Sequence, residues 1–276
     1  NILQNFLIPI PPLEIQQEIV KILDAFTELN TELNTELNTE LNTELKARKK
    51  QYQYYQNMLL DFKDINSNHK DAKMSAKPYP KRLKTLLQTL VPKGVEFRKL
   101  GEVLEYDQPN KYCVTGKEFD KSYPTPVLTA GKTFILGYTN EKDNIYQASK
   151  SSPVIIFDDF TTATQWVDFH FKVKSSAMKI LLPKNPTINI RFIFFYMQTI
   201  PYNISGEHTR QWISRYSKIT IPIPPLEIQQ EIVKILDQFS ALTTDLLAGI
   251  PAEIEARKKQ YEYYREKLLT FKPLKA

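Results

Sequence analysis

The stretch of this 276-residue chain best equipped for chemistry is GEHTRQWISRY, Gly206–Tyr216. It sets Arg210, Gln211, Trp212 and Arg215 close together. In a DNA major groove Arg reads guanine and Gln reads adenine, and both also hold phosphates. A second candidate is TAGKTFILGYTN, Thr129–Asn140, where a glycine-flanked loop bearing Lys132 and Thr133 is followed by Tyr138 and Asn140. A loop of small residues can approach a groove closely. Lys172 and Lys174 of the run FHFKVK complete the candidate DNA contacts. The competing reading is structural: Trp212 belongs to a core and the charges only solvate a surface.

Other chemistries find little support. LTAGKT resembles a phosphate loop, but Pro126 stands where its first glycine would be, and the strand-loop-helix context is missing. Seven glycines leave little for a dinucleotide or methyl-donor cradle. Asp158 and Asp159 follow the run VIIF and resemble a metal carboxylate pair. Neighbouring strand residues point to opposite faces, so a strand-end turn is the expected role. His69, His170 and His208 are scattered, and Cys113 is the sole cysteine, with no partner at a metal-ligand spacing. We therefore expect no catalytic residue, no metal and no cofactor. A single cysteine allows no intrachain disulfide and fits a reducing, cytoplasmic setting. No run approaches the roughly 20 apolar residues of a membrane span.

The formal net charge of +6 is unevenly placed. Residues 13–62 hold five Lys/Arg against nine Asp/Glu, residues 70–99 hold nine against two, and residues 107–219 hold fourteen against nine. The positive field lies in the middle of the chain. It is either a solvated basic surface or the footprint of a polyanion such as nucleic acid.

The elements that would position these residues are marked by an internal repeat. IPIPPLEIQQEIVKILD occupies Ile8–Asp24 and recurs letter for letter at Ile221–Asp237. Each copy is followed by a second related run, KARKKQYQYYQNMLLDF at Lys46–Phe62 and EARKKQYEYYREKLLTF at Glu255–Phe271. Pro keeps PIPP extended. From Leu13 the apolar residues Ile15, Ile19, Ile22, Leu23 and Phe26 follow helical spacing. A helix from Leu13 to Phe62 would span on the order of 70 Å and calls for a partner along its side. The second copy offers one, with a kink or short turn expected at Gly249–Pro251. Within the first copy lies NTELNTELNTELNTEL, Asn30–Leu45. Each unit adds roughly 6 Å of rise and about 40° of rotation, so its leucines drift around the helix rather than keep a heptad seam. The tract is either a spacer or slippage tolerated in a solvated helix.

Between the copies the pattern changes to short β-rich runs, TPVLTA, TFILGYT, PVIIFDD, WVDFHFKVK and SAMKILLP, punctuated by turn residues. Short helices are expected early in this section and at LGEVLEY, and NIRFIFFYMQTI is long enough for a further one. The expected class is α+β: one mainly β domain over residues 79–220, flanked by long helices that pack as an antiparallel coiled coil. Residues 1–12 read as the remnant of a preceding domain, 13–63 as the first long helix, 64–78 as a linker, and 221–276 as the second helical region.

Taken together, IPIPPLEIQQEIVKILD, the TELN tract and ARKKQY with its following YY resemble the specificity subunit of type I restriction-modification systems. PVLTAGKTFILGYT, PVIIFDDFTT, WVDF and RQWIS are similar to a target-recognition domain of that family. The resemblance implies a non-catalytic subunit that reads double-stranded DNA. In such subunits two recognition domains each read one half of a split target, and two conserved antiparallel helices act as a ruler between them. It also implies partners: modification subunits that methylate adenine with S-adenosylmethionine and, through them, restriction subunits that use ATP. Here only NILQNFL precedes IPIPP, so one recognition domain is expected. Such a half-size protein would either pair with a second copy through its helices or be a silent truncated cassette without independent specificity.

Overall fold

The computed structural model describes residues 10–63, 79–129, 133–201 and 210–270. The linker expected at 64–78 and the first nine residues lie outside them. In chain order the elements are α1 (Leu13–Leu60), α2 (Lys81–Leu90), β1 (Glu96–Lys99), α3 (Leu100–Val103), β2 (Leu104–Asp107), β3 (Thr125–Leu128), β4 (Ile135–Thr139), β5 (Val154–Asp158), β6 (Thr164–Val167), β7 (Lys172–Val173), β8 (Met178–Pro183), α4 (Ile190–Met197), α5 (Gln211–Ser214), β9 (Thr220–Ile223) and α6 (Leu226–Leu269). The class is α+β, as the patterning predicts.

The chain forms two compact units, one of Tyr54–Asp237 and one of Asn1–Gln53 with Gln238–Ala276. In the first, β2–β8–β5–β6 form an antiparallel sheet. The order β4–β3–β7 makes a second sheet, with β7 parallel to β3. β1 and β9 form a two-stranded ribbon. The apolar run of β5 is buried at every position, as a continuous rather than alternating run requires. α4 is capped by Asn189, whose side chain accepts from the N–H groups of Arg191 and Phe192 at 2.9 and 3.3 Å. LGEVLEY corrects one expectation: only Leu100–Val103 is helical, and Leu104–Asp107 pairs with β8 as a strand.

The second unit is helical. α1 and α6 begin alike, each with two N–H groups donating to the last proline of PIPP: Ile15 and Gln16 to Pro12 O, and Ile228 and Gln229 to Pro225 O, all at 3.0–3.1 Å. The helices run in opposite directions, since Phe26 near the start of α1 meets Tyr264 near the end of α6, ring centres 5.3 Å apart. Thr27 and Tyr261 hydroxyls lie 3.4 Å apart beside them. Of the kink or short turn expected at Gly249–Pro251, the turn does not form: α6 is a single helix from Leu226 to Leu269.

In the TELN tract the threonines make a ladder. Thr31, Thr35, Thr39 and Thr43 each donate to the carbonyl of the threonine four residues earlier, at 2.8 Å. The leucines at the two ends of the stripe differ in exposure: Leu29 is 53 % exposed and Leu45 only 8 %.

Candidate nucleic-acid interface

The sequence-predicted contacts fall into two groups. The first surrounds the β4–β3–β7 sheet. Tyr138 on β4 opposes Pro126 of β3, while Lys172 and Val173 of β7 oppose Val127 and Leu128. Thr133 and Asn140, at the two ends of β4, are exposed, and Tyr138 is half-buried. Lys174 is exposed, its N–H bonded to Leu128 O at 2.8 Å and its ammonium 5.3 Å from the centre of the Phe119 ring. Phe119 packs so closely on Gly137 that a Cβ there would sit 2.8 Å from the phenylalanine Cβ. Lys132 lies outside the described residues.

Lys172 is a correction. It is 1 % exposed, 2.6 Å from Glu141 Oε2, and donates to Asp143 O at 3.0 Å. The side chain is enclosed, and its charge is paired with Glu141 and, at 3.8 Å, with Asp143 Oδ1. The other Glu141 oxygen accepts from Thr115 N, Thr115 Oγ1 and Gly116 N at 2.8–3.0 Å. Burial pushes the Glu141 carboxyl up, but the bonds from Gly116, Lys172 and Thr115 outweigh it and bring the pKa down to about 2. Lys172 is therefore a strut of the loop that carries Asn140.

The second group is the Arg210 turn. Trp212 and Gln211 are also corrected, being 2 % and 6 % exposed. The Trp212 ring packs edge-on against Phe157 of β5, and Tyr216 joins it at 4.9 Å from the same ring. Arg210 and Arg215 remain on the surface at either end of α5. The turn is anchored from the residue after β5: Asp159 O accepts from Gln211 N, and Asp159 Oδ1 accepts from Trp212 N, both at 2.8 Å. Arg210 itself makes no side-chain cap, so Asp159 caps α5 from outside. Asp159 Oδ2 lies 3.7 Å from the Lys179 ammonium, both residues being almost fully buried. Lys179 also bonds the Gln108 side chain and sits 4.5 Å from the centre of the Tyr106 ring. Burial pushes the Lys179 ammonium down while Asp159 pulls it up. The sequence carried no signal for Lys179, because its partner lies in a different turn.

Asp158 takes the turn role expected of it, accepting from Phe160 N and Thr161 N at 2.9 and 3.2 Å. Among the described residues no group of His, Cys, Asp and Glu is placed to hold a metal. Nor is any helix among them long and apolar enough to cross a membrane.

The two copies of IPIPPLEIQQEIVKILD occupy different surroundings. In the second, Ile228, Ile232 and Leu236 are fully buried. Gln229 donates to Pro224 O and Thr187 O and accepts from Asn189 N, at 2.7–3.1 Å. Asp237 takes two bonds from Arg191 at 2.8 and 2.9 Å, and that guanidinium lies 4.5 Å from the Trp166 ring centre. The end of α1 joins this seat: Met58, Leu59, Leu60 and Phe62 are buried, and Gln56 donates to Phe195 O at 3.0 Å. In the first copy Leu13 is 64 % exposed, Ile15 46 % and Val20 54 %, and Asp24 is on the surface. The end of α6, beside it, leaves Leu269 45 % exposed.

The chain combines a mixed β domain bearing surface arginines and lysines with a unit of two long opposed helices. Two solved S subunits share the fold: that of a type I restriction-modification system of M. genitalium, with TM-score 0.55 and 14 % identity over 95 % of this chain and 62 % of that one, and HsdS of Thermoanaerobacter tengcongensis, with TM-score 0.50 and 16 % identity over 95 % and 60 %. The family model for the type I restriction modification DNA specificity domain matches residues 1–43 and 92–256, and the chain belongs to that family. The specificity subunit of the Escherichia coli type I restriction enzyme EcoR124I/EcoR124II is 55 % identical over 188 residues, 64 % of this chain and 45 % of that protein. A putative type I specificity subunit of Mycoplasma pneumoniae is 35 % identical over 271 residues, 96 % of this chain and 72 % of that protein. The chain thus spans about half the length of the Escherichia coli relative.

Proposed function

We propose that this chain is a non-catalytic reader of double-stranded DNA in a type I restriction-modification complex, its recognition domain contacting one half of a bipartite target. The Arg210 turn carries the reading: Arg210 and Arg215 stand on the surface of a short helix fixed from beneath by Asp159. Thr133, Tyr138, Asn140 and Lys174 form the second contact group, and Lys132 joins them from outside the described residues. The long helices pair as a coiled coil, set the spacing between half-sites, and offer modification subunits their docking surface. The exposed copy at Ile15–Asp24, with the end of α6, is a second seat for a second recognition domain. What supports this is sequence identity with the seat that is filled.

The test is selection from a randomised duplex library by the chain assembled with its modification subunits. A recovered half-site, with affinity falling steeply as salt rises, is the expected result. Recovery of no consensus, or affinity that stays flat with salt, would leave an interaction scaffold instead.

A further inference from the structure

The Lys179 ammonium occupies a place built for a cation. It lies 3.7 Å from Asp159 Oδ2, bonds Gln108 Oε1 and faces the Tyr106 ring at 4.5 Å from its centre. A carboxylate, an amide oxygen and an aromatic face suit a guanidinium as well as an ammonium. Gln108 is itself held, its Nε2 donating to Ser176 O at 2.9 Å. Lys179 is 2 % exposed and Asp159 1 %, whereas Tyr106 is 41 % exposed and opens the place toward the surface. Asp159 Oδ2 accepts no hydrogen bond from the described residues, so the Lys179 charge is what balances it.

Arg210 is a second cation beside the same carboxylate. Its neighbour Gln211 bonds Asp159 O through its N–H, so the Arg210 side chain starts next to that aspartate. Burial pushes the Lys179 ammonium down, Asp159 pulls it up, and the Arg210 charge pushes it down again, as two nearby cations must. Two other carboxylates, Glu102 and Glu105, line the groove that Tyr106 shares with Trp212 and Ile213. Both are exposed, and Glu102 also bonds Lys99 N at 3.2 Å. Water stabilises an exposed carboxylate, whereas a buried one left without its cation is strongly destabilising. Asp159 is therefore the carboxylate that would draw in a guanidinium if Lys179 lost its charge.

We propose that Lys179 is a positioning residue for Arg210: it fills the cation place at Asp159 and so keeps the Arg210 guanidinium on the surface, where DNA can meet it. This rests on the reading of Arg210 as a DNA contact given above. Lys179 is enclosed and acts through the carboxylate, without touching the duplex. When its charge is removed, Arg210 folds back over Tyr106 onto Asp159. The turn then stays in place but withdraws its reading side chain.

The first measurement needs no DNA. Phenylglyoxal modifies accessible arginines, and mass spectrometry locates each modified site. Arg210 should react at least about tenfold more slowly in Lys179→Met than in the unaltered chain, while Arg215 keeps its rate. Adding Asp159→Asn leaves an oxygen to accept from Trp212 N but removes the charge, and should restore the Arg210 rate to within about twofold. If Lys179→Met does not fold, Lys179→Gln makes the same comparison, with a slowing of at least about threefold. An unchanged Arg210 rate, or a slowed one that Asp159→Asn does not restore, overturns the proposal. The second measurement uses the selected duplex and the chain assembled with its modification subunits. Lys179→Met should lose discrimination at the base pair read by Arg210 to within about twofold of Arg210→Ala, and the double variant should lose no more. Losses that multiply in the double variant overturn the positioning role. Equal losses by Arg210→Ala on selected and scrambled DNA would instead remove base reading from Arg210, and the labelling would still decide where its side chain lies.

Discussion

Arg210 and Lys172 show how differently two basic residues of one domain are used. Arg210 stands on the surface above a buried clamp, whereas Lys172 is enclosed and paired with Glu141. Arg210→Ala should cost about 1–3 kcal/mol at a single base pair of the selected duplex and little on scrambled DNA. Equal losses on both would make it a phosphate contact only. Glu141→Gln should destabilise the chain by about 3 kcal/mol, because it leaves the buried Lys172 ammonium only the exposed Asp143 carboxylate, 3.8 Å away, as a charge partner; urea unfolding measures this. The folded Glu141 carboxyl is held down at about 2, below its unfolded value. Its contribution is therefore complete above the ordinary carboxylate range and is lost as pH falls from there toward 2. An acid titration of Glu141→Gln should lack that component. Residue types suggested the Arg210 turn, and the structure keeps its two arginines at the surface. The burial of Trp212 and Gln211 is not legible locally, because it depends on Phe157 of β5 and on Asp159 in the turn after it, both distant in sequence. Local composition carries no trace of such a partner.

At the scale of elements, periodicity was the reliable guide. The helical spacing after Leu13 and the four-residue unit marked α1 to within two residues of its observed end at Leu60. A short turn does not form at Gly249–Pro251, because breaker residues report local cost, and a long helix has flanking turns to absorb it. LGEVLEY divided between helix and strand for another reason. Its second half finds a pairing partner in β8, and tertiary pairing overrides local preference. Removing one TELN unit should shorten α1 by roughly 6 Å and turn everything before it by about 40°. In library selection the half-site read by this domain should stay the same, while the preferred distance to the other half-site changes. A changed half-site would exclude the ruler.

For the whole molecule, the informative fact is one peptide in two environments. The repeat was plain in the sequence, but which copy would be buried was not, since burial belongs to the surface that meets it. The same substitution should therefore have opposite outcomes. Ile228→Asp places a carboxylate at a fully buried site and should cost more than about 3 kcal/mol of stability. Ile15→Asp, at a site 46 % exposed, should leave the unfolding midpoint within about 1 °C yet abolish pairing with a second recognition domain, read as the mass of the assembled complex. Unimpaired assembly by the Ile15 variant would empty the second seat of its role.

The threonine ladder of α1 has a consequence for heredity. Each rung joins a threonine to the identical residue one unit earlier. A copying error that gains or loses a whole unit leaves every surviving rung with the same neighbours. Descendants that differ in this tract keep the same rungs, and on the proposed ruler role each would change the target geometry by a fixed increment.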